Sequence, residues 1–215
     1  LKSPLNRIKQ RMANVEDGIY GEPPQWLLDQ LENVYHDIET RLNLVHNHRD
    51  LQKIEIGKFN LEKELTSIKA FVRSTVEKHV VSYQAKGVHL YLKLHFEELL
   101  IQTDDKHMLQ VLDNLLTNAL KYSSRGDTVS VLGRLRDECI EIDVGDEGAG
   151  IADERKPYIF DRFYQVPGTK VKGTGLGLTI TKEIIEAHGG TISVSDNINK
   201  GTVFTFTIPD NPEVI

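Results

Sequence analysis

Residues 114–122 read NLLTNALKY and decide how the middle of this 215-residue sequence is interpreted. Their apolar positions recur with the period of a helix, and the same period extends back to Lys106. Asn114, Asn118 and Lys121 fall at positions i, i+4 and i+7, so they share one polar face of an otherwise apolar helix. Carboxamide oxygens are suitable ligands for Mg²⁺, and an ammonium group one turn away can meet phosphate charge. This face predicts a metal–nucleotide site, although a solvated helix face is the simpler interpretation of the pattern taken alone.

A second polar motif, DEGAGI at residues 146–151, follows a hydrophobic strand that ends at Val144. Asp146 stands at the end of this strand, where a carboxylate can accept a hydrogen bond from an exocyclic amine. Gly148 and Gly150 let a flat ring such as adenine approach the backbone closely. The motif indicates adenine recognition, although the same spacing also occurs in many surface turns.

A third motif, GTGLGL at residues 173–178, leads directly into a helix that includes Ile180 and Ile184. Backbone N–H groups in a glycine-rich turn at a helix N-terminus form a pocket for phosphate oxygens. The motif is not a Walker A loop or a Rossmann fingerprint, because it lacks the Gly-Lys-Ser/Thr ending and the G-x-G-x-x-G spacing. It favours a phosphate-binding turn over the alternative of a glycine-rich linker.

The residues that surround these motifs alternate between helix and strand periods, which predicts an α/β sandwich. The predicted elements are a strand at Lys58–Glu62, a helix at Leu65–Gln84, a strand at Val88–Phe96, a helix at Lys106–Tyr122, paired strands at Thr128–Arg136 and Glu138–Val144, a helix at Thr181–Ala187, and a closing hairpin at Thr191–Val194 and Thr202–Ile208.

The residues before Gly57 carry two helical seams, from Leu5 to Ile19 and from Leu27 to Val45, with a loop rich in glycine and proline between them. Two copies of such a hairpin can bury their apolar stripes in a four-helix bundle, which predicts a homodimer. Packing of the hairpin on its own chain is the alternative. The fold class predicted is α+β. We expect a dimerisation hairpin at residues 1–57 and a catalytic domain at residues 58–215.

The composition excludes several classes of function. The formal net charge is −6 and no concentrated Lys/Arg face is present, which argues against nucleic acid as a partner. The single cysteine, Cys139, has no second cysteine with which to form a disulfide, and this favours a reducing compartment. No apolar run approaches the roughly 20 residues that cross a bilayer. We therefore expect a cytoplasmic location, with any membrane segment upstream of Leu1.

The order and spacing of the motifs resemble those of sensor histidine kinases. Residues 114–122 resemble the N box, residues 146–150 the first glycine box, residues 159–164 the F box and residues 173–178 the second glycine box. Residues 201–204 also resemble the last strand of the family. The match of several motifs in the correct order is difficult to explain by chance. The resemblance implies the ATP-binding sandwich shared with gyrase, MutL and heat-shock chaperone ATPases.

The resemblance implies ATP and Mg²⁺ as cofactors. Asn118 would hold Mg²⁺, Lys121 and Tyr122 would approach the phosphates, Asp146 would recognise adenine, and residues 152–172 would form a lid. The nucleotide-binding set that it implies is Asn114, Asn118, Lys121, Tyr122, Asp146, Gly148, Gly150, Ile151, Phe163, Gly173, Thr174, Gly175, Leu176, Gly177, Leu178 and Thr202.

This sequence departs from the family pattern at several positions. Glu147 and Ala149 stand where the family usually has Asn and Pro, and Gln165 stands where a basic residue often follows the F box. Lys170 and Lys172 are candidates to supply the missing positive charge beside the γ-phosphate.

The first five residues, LKSPL, resemble the end of the H box, which places the phosphoacceptor histidine two residues before Leu1. Ser3 stands at the Thr/Ser position of that box, and we expect it to orient a water in the reverse phosphatase reaction. Residues 54–58 resemble the junction between the hairpin and the ATP-binding domain. His36 is a rival phosphoacceptor, but the proline expected after it is replaced by Arg41.

The resemblance implies ATP-dependent phosphorylation of a histidine, followed by transfer to an aspartate of a response regulator. An imidazole nitrogen is already nucleophilic near neutral pH, so the protein mainly has to position it in line with Mg·ATP. A clamp-type ATPase and an ATP-binding pseudokinase scaffold are the two alternatives. The residues that precede Leu1 in a longer sequence would distinguish the scaffold from the kinase.

Overall fold

The computed structural model describes residues 2–19, 21–28, 59–136, 139–166 and 174–209, together with residues 30, 31, 34, 38, 45, 49 and 52. The chain divides into two compact units, Leu1–Gly57 and Lys58–Ile215. Among the described residues, no helix is both long enough and apolar enough to cross a bilayer.

The first unit begins with helix α1, Lys2–Glu16, which is followed by a turn at Gly18 with a φ of 69°. Met12 and Ile38 are buried against each other, and Leu31 packs on them. These three residues belong to the two seams predicted from the sequence. Helical backbone occurs again at residues 25–28, 30, 31, 34, 38, 45, 49 and 52.

Other seam positions of the first unit remain accessible. Ile8 is 44% exposed and Val34 is 43% exposed. Ile19, the last apolar residue of the first seam, lies in the turn after α1 and is 63% exposed. The helix ends at Glu16, where the loop rich in glycine and proline was predicted to begin.

In the described part of the second unit, the main sheet has five strands and a small sheet has two. Strand β2 (His89–His95) is parallel to β4 (Thr128–Arg136), and the other neighbouring strands of the main sheet are antiparallel. In the small sheet, β1 (Glu64–Ser67) pairs with β3 (Leu100–Thr103) in antiparallel fashion. The strands are β1 (Glu64–Ser67), β2 (His89–His95), β3 (Leu100–Thr103), β4 (Thr128–Arg136), β5 (Cys139–Gly145), β6 (Ile192–Asp196) and β7 (Thr202–Pro209), and the main sheet has the order β2-β4-β5-β7-β6.

Helices α2 (Ile68–Lys86), α3 (Asp105–Tyr122) and α4 (Gly177–Ala187) cover one face of this sheet. Side chains alternate between the two faces of a strand, so every second residue enters the core. Burying such side chains stabilises the fold by about 25 cal/mol per Å² of apolar surface. Examples of the fully buried residues are Leu112, Leu115 and Leu116 of α3, Ile140 and Ile142 of β5, Ile184 of α4 and Phe206 of β7.

The structure corrects two of the predicted elements and adds a strand. The strand predicted at Lys58–Glu62 is wrong, because residues 59–63 form no regular structure and the strand lies at Glu64–Ser67. Its partner β3 was not predicted. Helix α4 begins at Gly177 rather than at Thr181. The remaining described elements agree with the prediction to within a few residues.

Candidate functional site

Helix α3 carries the predicted polar face, and both of its ends are held. Asp104 caps the first turn by accepting a hydrogen bond from the His107 amide at 3.1 Å. At the other end, the Lys86 ammonium donates to the carbonyls of Leu120 and Lys121 at 2.6 and 3.1 Å. This cation satisfies carbonyls that have no partner within the helix and complements the helix dipole. The polar face is therefore presented by an anchored helix.

Asn114, the first residue of the polar face, contacts helix α4. Its Nδ2 donates to Thr181 Oγ1 at 2.8 Å. A Cβ at Gly177 would lie 2.3 Å from Asn114 Oδ1, so the start of α4 requires glycine at this position. The Asn114 carboxamide thus joins two helices, and its contact with a nucleotide stays a prediction.

Asn118, one turn further along α3, differs from Asn114 in its contacts. It is half-buried and makes no hydrogen bond or ion pair with another described residue. Its carboxamide oxygen is of the ligand type that Mg²⁺ prefers. Within the described ranges, no cluster of three or more His, Cys, Asp or Glu side chains is placed to bind a metal. The binding of Mg²⁺ by Asn118 stays a prediction.

Lys121 and Tyr122 complete the polar face at the end of α3. Lys121 Nζ lies 5.4 Å from the centroid of the Tyr122 ring. Burial lowers the pKa of the Lys121 ammonium and raises the pKa of the Tyr122 phenol. A partly desolvated ammonium interacts more strongly with an anion than a fully hydrated one.

Asp146 is buried directly after strand β5, with 5% of its surface exposed. Its Oδ1 accepts a hydrogen bond from the Gly148 amide at 2.8 Å. Burial raises the pKa of Asp146, and the backbone N–H groups of Gly148 and Thr202, which lie close to the carboxylate, oppose this effect. The binding of a ligand by this carboxylate stays a prediction. The geometry is suited to an acceptor for one external N–H donor.

The backbone of Asp146 is fixed by the closing hairpin of the sheet. The Asp146 amide donates to the Thr202 carbonyl at 2.8 Å, and the Asn197 side chain donates to the Asp146 carbonyl at 2.8 Å. A Cβ at Gly201 would lie 2.0 Å from that carbonyl oxygen, so only glycine fits there. Thr202, a predicted site residue, therefore contributes its backbone to the position of Asp146. Asn197 was not identified from the sequence.

The first glycine box packs against the end of helix α3. A Cβ at Gly148 would lie 2.6 Å from the Tyr122 carbonyl oxygen, so a side chain at this position would separate the two motifs. Glu147 replaces the family's usual Asn, and its carboxylate accepts a hydrogen bond from the Thr128 amide at 2.7 Å. Glu147 thus fixes the start of β4. Of the other predicted residues, Gly150 is exposed and Ile151 is half-buried.

The F box meets the second glycine box through the backbone. The Phe163 amide donates to the Gly175 carbonyl at 2.9 Å, and the two residues have positive φ angles of 61° and 69°. A Cβ at Gly175 would approach the Phe163 backbone to 2.5 Å, so glycine is required. The Phe163 side chain is 67% exposed. The predicted contact between this side chain and a nucleotide stays a prediction.

The turn that leads into α4 is ordered by its own side chains. The Leu176 amide donates to Thr174 Oγ1 at 3.2 Å, Leu176 is buried, and Leu178 is half-buried. The backbone then enters α4 at Gly177, where N–H groups at a helix N-terminus suit phosphate oxygens. Gly173, Lys170 and Lys172 lie outside the described residues.

These contacts bring the predicted motifs together. The pairs in contact are Gly148 with Tyr122, Gly177 with Asn114, and Gly175 with Phe163. A buried carboxylate after a strand, a polar helix face and a glycine turn before a helix define a nucleotide-binding sandwich on a mixed sheet.

The chain belongs to the family of histidine kinase-, DNA gyrase B- and HSP90-like ATPases, whose model matches residues 103–212. It is 31% identical to the sensor histidine kinase WalK of Bacillus subtilis over 99% of this chain, and 32% identical to the sensor protein SrrB of Staphylococcus aureus over 97% of this chain. These alignments cover 35% and 36% of the two relatives, so the chain spans about a third of their length.

Solved structures of histidine kinases share the architecture. The histidine kinase AdeS of Acinetobacter baumannii matches with a TM-score of 0.69 and 27% identity, over 98% of this chain and 96% of AdeS. The catalytic domain of histidine kinase ThkA matches with a TM-score of 0.65 and 28% identity, over 71% of this chain and 99% of that domain. The fold and the family expected from the motifs are therefore confirmed for the ATP-binding unit.

Proposed function

We propose that this chain is the histidine autokinase core of a two-component signalling system. It transfers the γ-phosphate of ATP to a histidine expected two residues upstream of Leu1, and the phosphoryl group then passes to an aspartate of a response regulator. The observation that carries the proposal is the buried Asp146 carboxylate, which the Gly148 amide holds beside the polar end of α3. Identity of 31% to WalK over 99% of this chain supports the kinase branch of the family.

In the proposed complex, Asp146 Oδ2 accepts a hydrogen bond from the exocyclic amine of adenine, because Oδ1 is already used by Gly148. The phosphates lie toward the turn at Thr174–Gly177 and toward Lys121, which supply N–H groups and positive charge. Asn118 would hold Mg²⁺, which would supply positive charge to balance the phosphates.

Residues 1–57 are proposed to form the dimerisation and phosphotransfer hairpin. The buried contact of Met12 with Ile38 supports the pairing of the two predicted helices. The accessible seam residues Ile8 and Val34 leave apolar surface for a second copy. The solved complex of histidine kinase ThkA with the response regulator TrrA supports a receiver domain as the partner. Ser3 is proposed to orient a water during dephosphorylation of that partner. We place the chain in the cytoplasm, with any membrane anchor upstream.

Radiolabelled γ-phosphate ATP and Mg²⁺, added to a chain extended upstream through the expected histidine, test this proposal. We expect an acid-labile and alkali-stable label on the protein, because phosphohistidine has that stability. The label should disappear when the upstream histidine is changed to Gln. ATP hydrolysis without any phosphoprotein would contradict the autokinase and favour a clamp-type ATPase, and ATP binding without label or hydrolysis would favour a pseudokinase scaffold.

A further inference from the structure

A second polar cluster lies at the ends of α3 and α4 that are remote from the nucleotide motifs. The two helices run in opposite directions, because Asn114 meets Thr181 while Asp104 meets His188. Asp104 precedes Asn118 by 14 residues along the chain, or roughly 21 Å along a helix axis. The cluster is therefore separate from the candidate ATP site, although the same helices carry both.

The Asp104 carboxylate makes more contacts than a helix cap needs. Oδ1 accepts a hydrogen bond from the His107 amide, which is the capping interaction. Oδ2 accepts a hydrogen bond from the Glu62 amide at 2.9 Å, and it also lies 2.7 Å from His107 Nδ1. The approach of the imidazole is close, but its alignment is not that of a hydrogen bond. The carboxylate is 5% exposed, so water competes little with these contacts.

The backbone amide of Asp104 holds the end of α4. This amide donates to His188 Nε2 at 3.1 Å, and His188 Nδ1 lies 2.8 Å from the Ile184 carbonyl. A carbonyl can only accept, so Nδ1 carries the proton and Nε2 is the bare acceptor. The buried imidazole is thus neutral while this bond exists.

The segment that enters the ATP-binding unit is bound to this cluster at two points. The Glu62 amide binds the Asp104 carboxylate, as described above. The Phe59 ring packs edge-on against the His107 ring, with centroids 4.9 Å apart and planes at 70°. A hydrogen bond and a ring contact therefore fix residues 59–62, which have no regular secondary structure.

We propose that Asp104 is a positioning residue that clamps residues 59–62 onto the joined ends of α3 and α4, and thereby sets the rate of phosphoryl transfer. The clamp joins the segment that follows the hairpin to the two helices that carry the N box and the second glycine box. Because it lies at the far ends of those helices, it acts on the rate of phosphoryl transfer rather than on nucleotide affinity. The rate part of this inference rests on the proposed autokinase function.

Two substitutions break the clamp by different routes. Glu62→Pro removes the donor N–H, whereas its matched control Glu62→Ala keeps the N–H and changes only an exposed side chain. Asp104→Ser keeps a capping oxygen for α3 but is too short to hold Glu62 as well. The double variant tests whether the two changes act on one interaction.

Every variant, and the unsubstituted chain, is extended upstream through the expected histidine. The measurements are the autophosphorylation rate at saturating ATP, the dissociation constant for an ATP analogue and the exchange rate of the Glu62 amide. A charge-assisted hydrogen bond contributes about 1.5–3 kcal/mol. We accordingly expect about tenfold faster exchange of Glu62 in Asp104→Ser. The phosphorylation rate should fall about tenfold in Asp104→Ser and in Glu62→Pro, with no further fall in the double variant and none in Glu62→Ala. Affinity for the ATP analogue should change less than about twofold.

Several outcomes overturn the inference. An unprotected Glu62 amide in the unsubstituted chain would show that the clamp does not exist. If Asp104→Ser and Glu62→Pro lowered nucleotide affinity and melting temperature together with the phosphorylation rate, the clamp would have a structural role only. An unchanged rate in Asp104→Ser would remove the positioning role. If the unsubstituted chain took no label at all, the proposed function and the rate part would fail, while amide exchange would still decide whether the clamp exists.

Discussion

The two ends of helix α3 both carry polar side chains, but these side chains differ in how many hydrogen bonds they make within the protein. At the N-terminal end, both oxygens and the amide of Asp104 are bound within the protein. Toward the C-terminal end, Asn118 makes no hydrogen bond or ion pair with another described residue, although it is half-buried. Asp104 is thus held within the protein, and we propose that Asn118 is kept for a ligand.

The largest effect is expected at Asp146. In Asp146→Asn the carboxamide oxygen would accept from Gly148, and its NH₂ group would face the amine of adenine, so two donors would oppose each other. We expect ATP binding to weaken about 100-fold, measured by titration calorimetry. Asp143→Asn is the control: Asp143 lies on strand β5, three residues before Asp146, and accepts a hydrogen bond from Arg134, so this variant should bind within about twofold of the unsubstituted chain. Equal losses in both variants would contradict the assignment of Asp146.

The next effect distinguishes the two asparagines of the polar face. Asn118→Ala should weaken Mg·ATP binding about tenfold, because one metal ligand is lost, and should leave the melting temperature unchanged. The difference from the unsubstituted chain should vanish when Mg²⁺ is removed with a chelator. A tenfold loss that persists without Mg²⁺ would show that Asn118 does not act through the metal.

Asn114→Ala should instead lower the free energy of unfolding by about 1–2 kcal/mol, measured by urea denaturation. The reason is that the substitution removes the hydrogen bond to Thr181, which is buried and would lose its partner. Asn118→Ala serves as the matched control and should change this free energy by less than about 0.5 kcal/mol. The reverse order of destabilisation would refute the distinction between the two residues.

The smallest effect concerns pH and the cluster at the other end of α3. Burial lowers the pKa of His188; Lys63 and His107 act in the same direction, whereas the Ile184 carbonyl and Asp104 oppose them. The unfolded chain therefore binds a proton at His188 at a higher pH than the folded chain does. The contribution of neutral His188 to the free energy of unfolding is fully present above about pH 6.5, the ordinary pKa of histidine. It is lost as the pH falls through the pKa of His188 in the folded chain.

Urea denaturation of His188→Gln between pH 7 and pH 5 checks this linkage. Gln retains an acceptor for the Asp104 amide but does not titrate, so its stability should decline less over this range than that of the unsubstituted chain. Identical pH profiles for the two chains would show that His188 does not contribute to the acid sensitivity.

The sequence predicts the parts of the site that depend on local patterns. The period of three and four residues identified α3, and the glycine motifs marked positions that the structure shows to be close backbone contacts, such as Gly148 against Tyr122. It did not predict the contact of Asp104 with Glu62, because the two residues are 42 positions apart and share no local pattern. Asn197 was missed for the same reason, since it binds Asp146 across 51 positions.

The misplaced elements have physical causes too. Strand β1 contains Glu64, Leu65, Thr66 and Ser67, which show little apolar alternation, and it exists because it pairs with β3. Helix α4 begins with Gly177, a residue of low helix propensity, which is why local propensity placed its start later. A Cβ at this position would lie 2.3 Å from Asn114 Oδ1, so the contact between the two helices favours glycine there.

The comparison between the ends of α3 is tested most directly by amide hydrogen exchange with and without a non-hydrolysable Mg·ATP analogue. We expect slower exchange on nucleotide binding at residues 118–122, 146–148 and 174–178, and little change at residues 104–107. Protection that appears at residues 104–107 and is absent from residues 118–122 would contradict it.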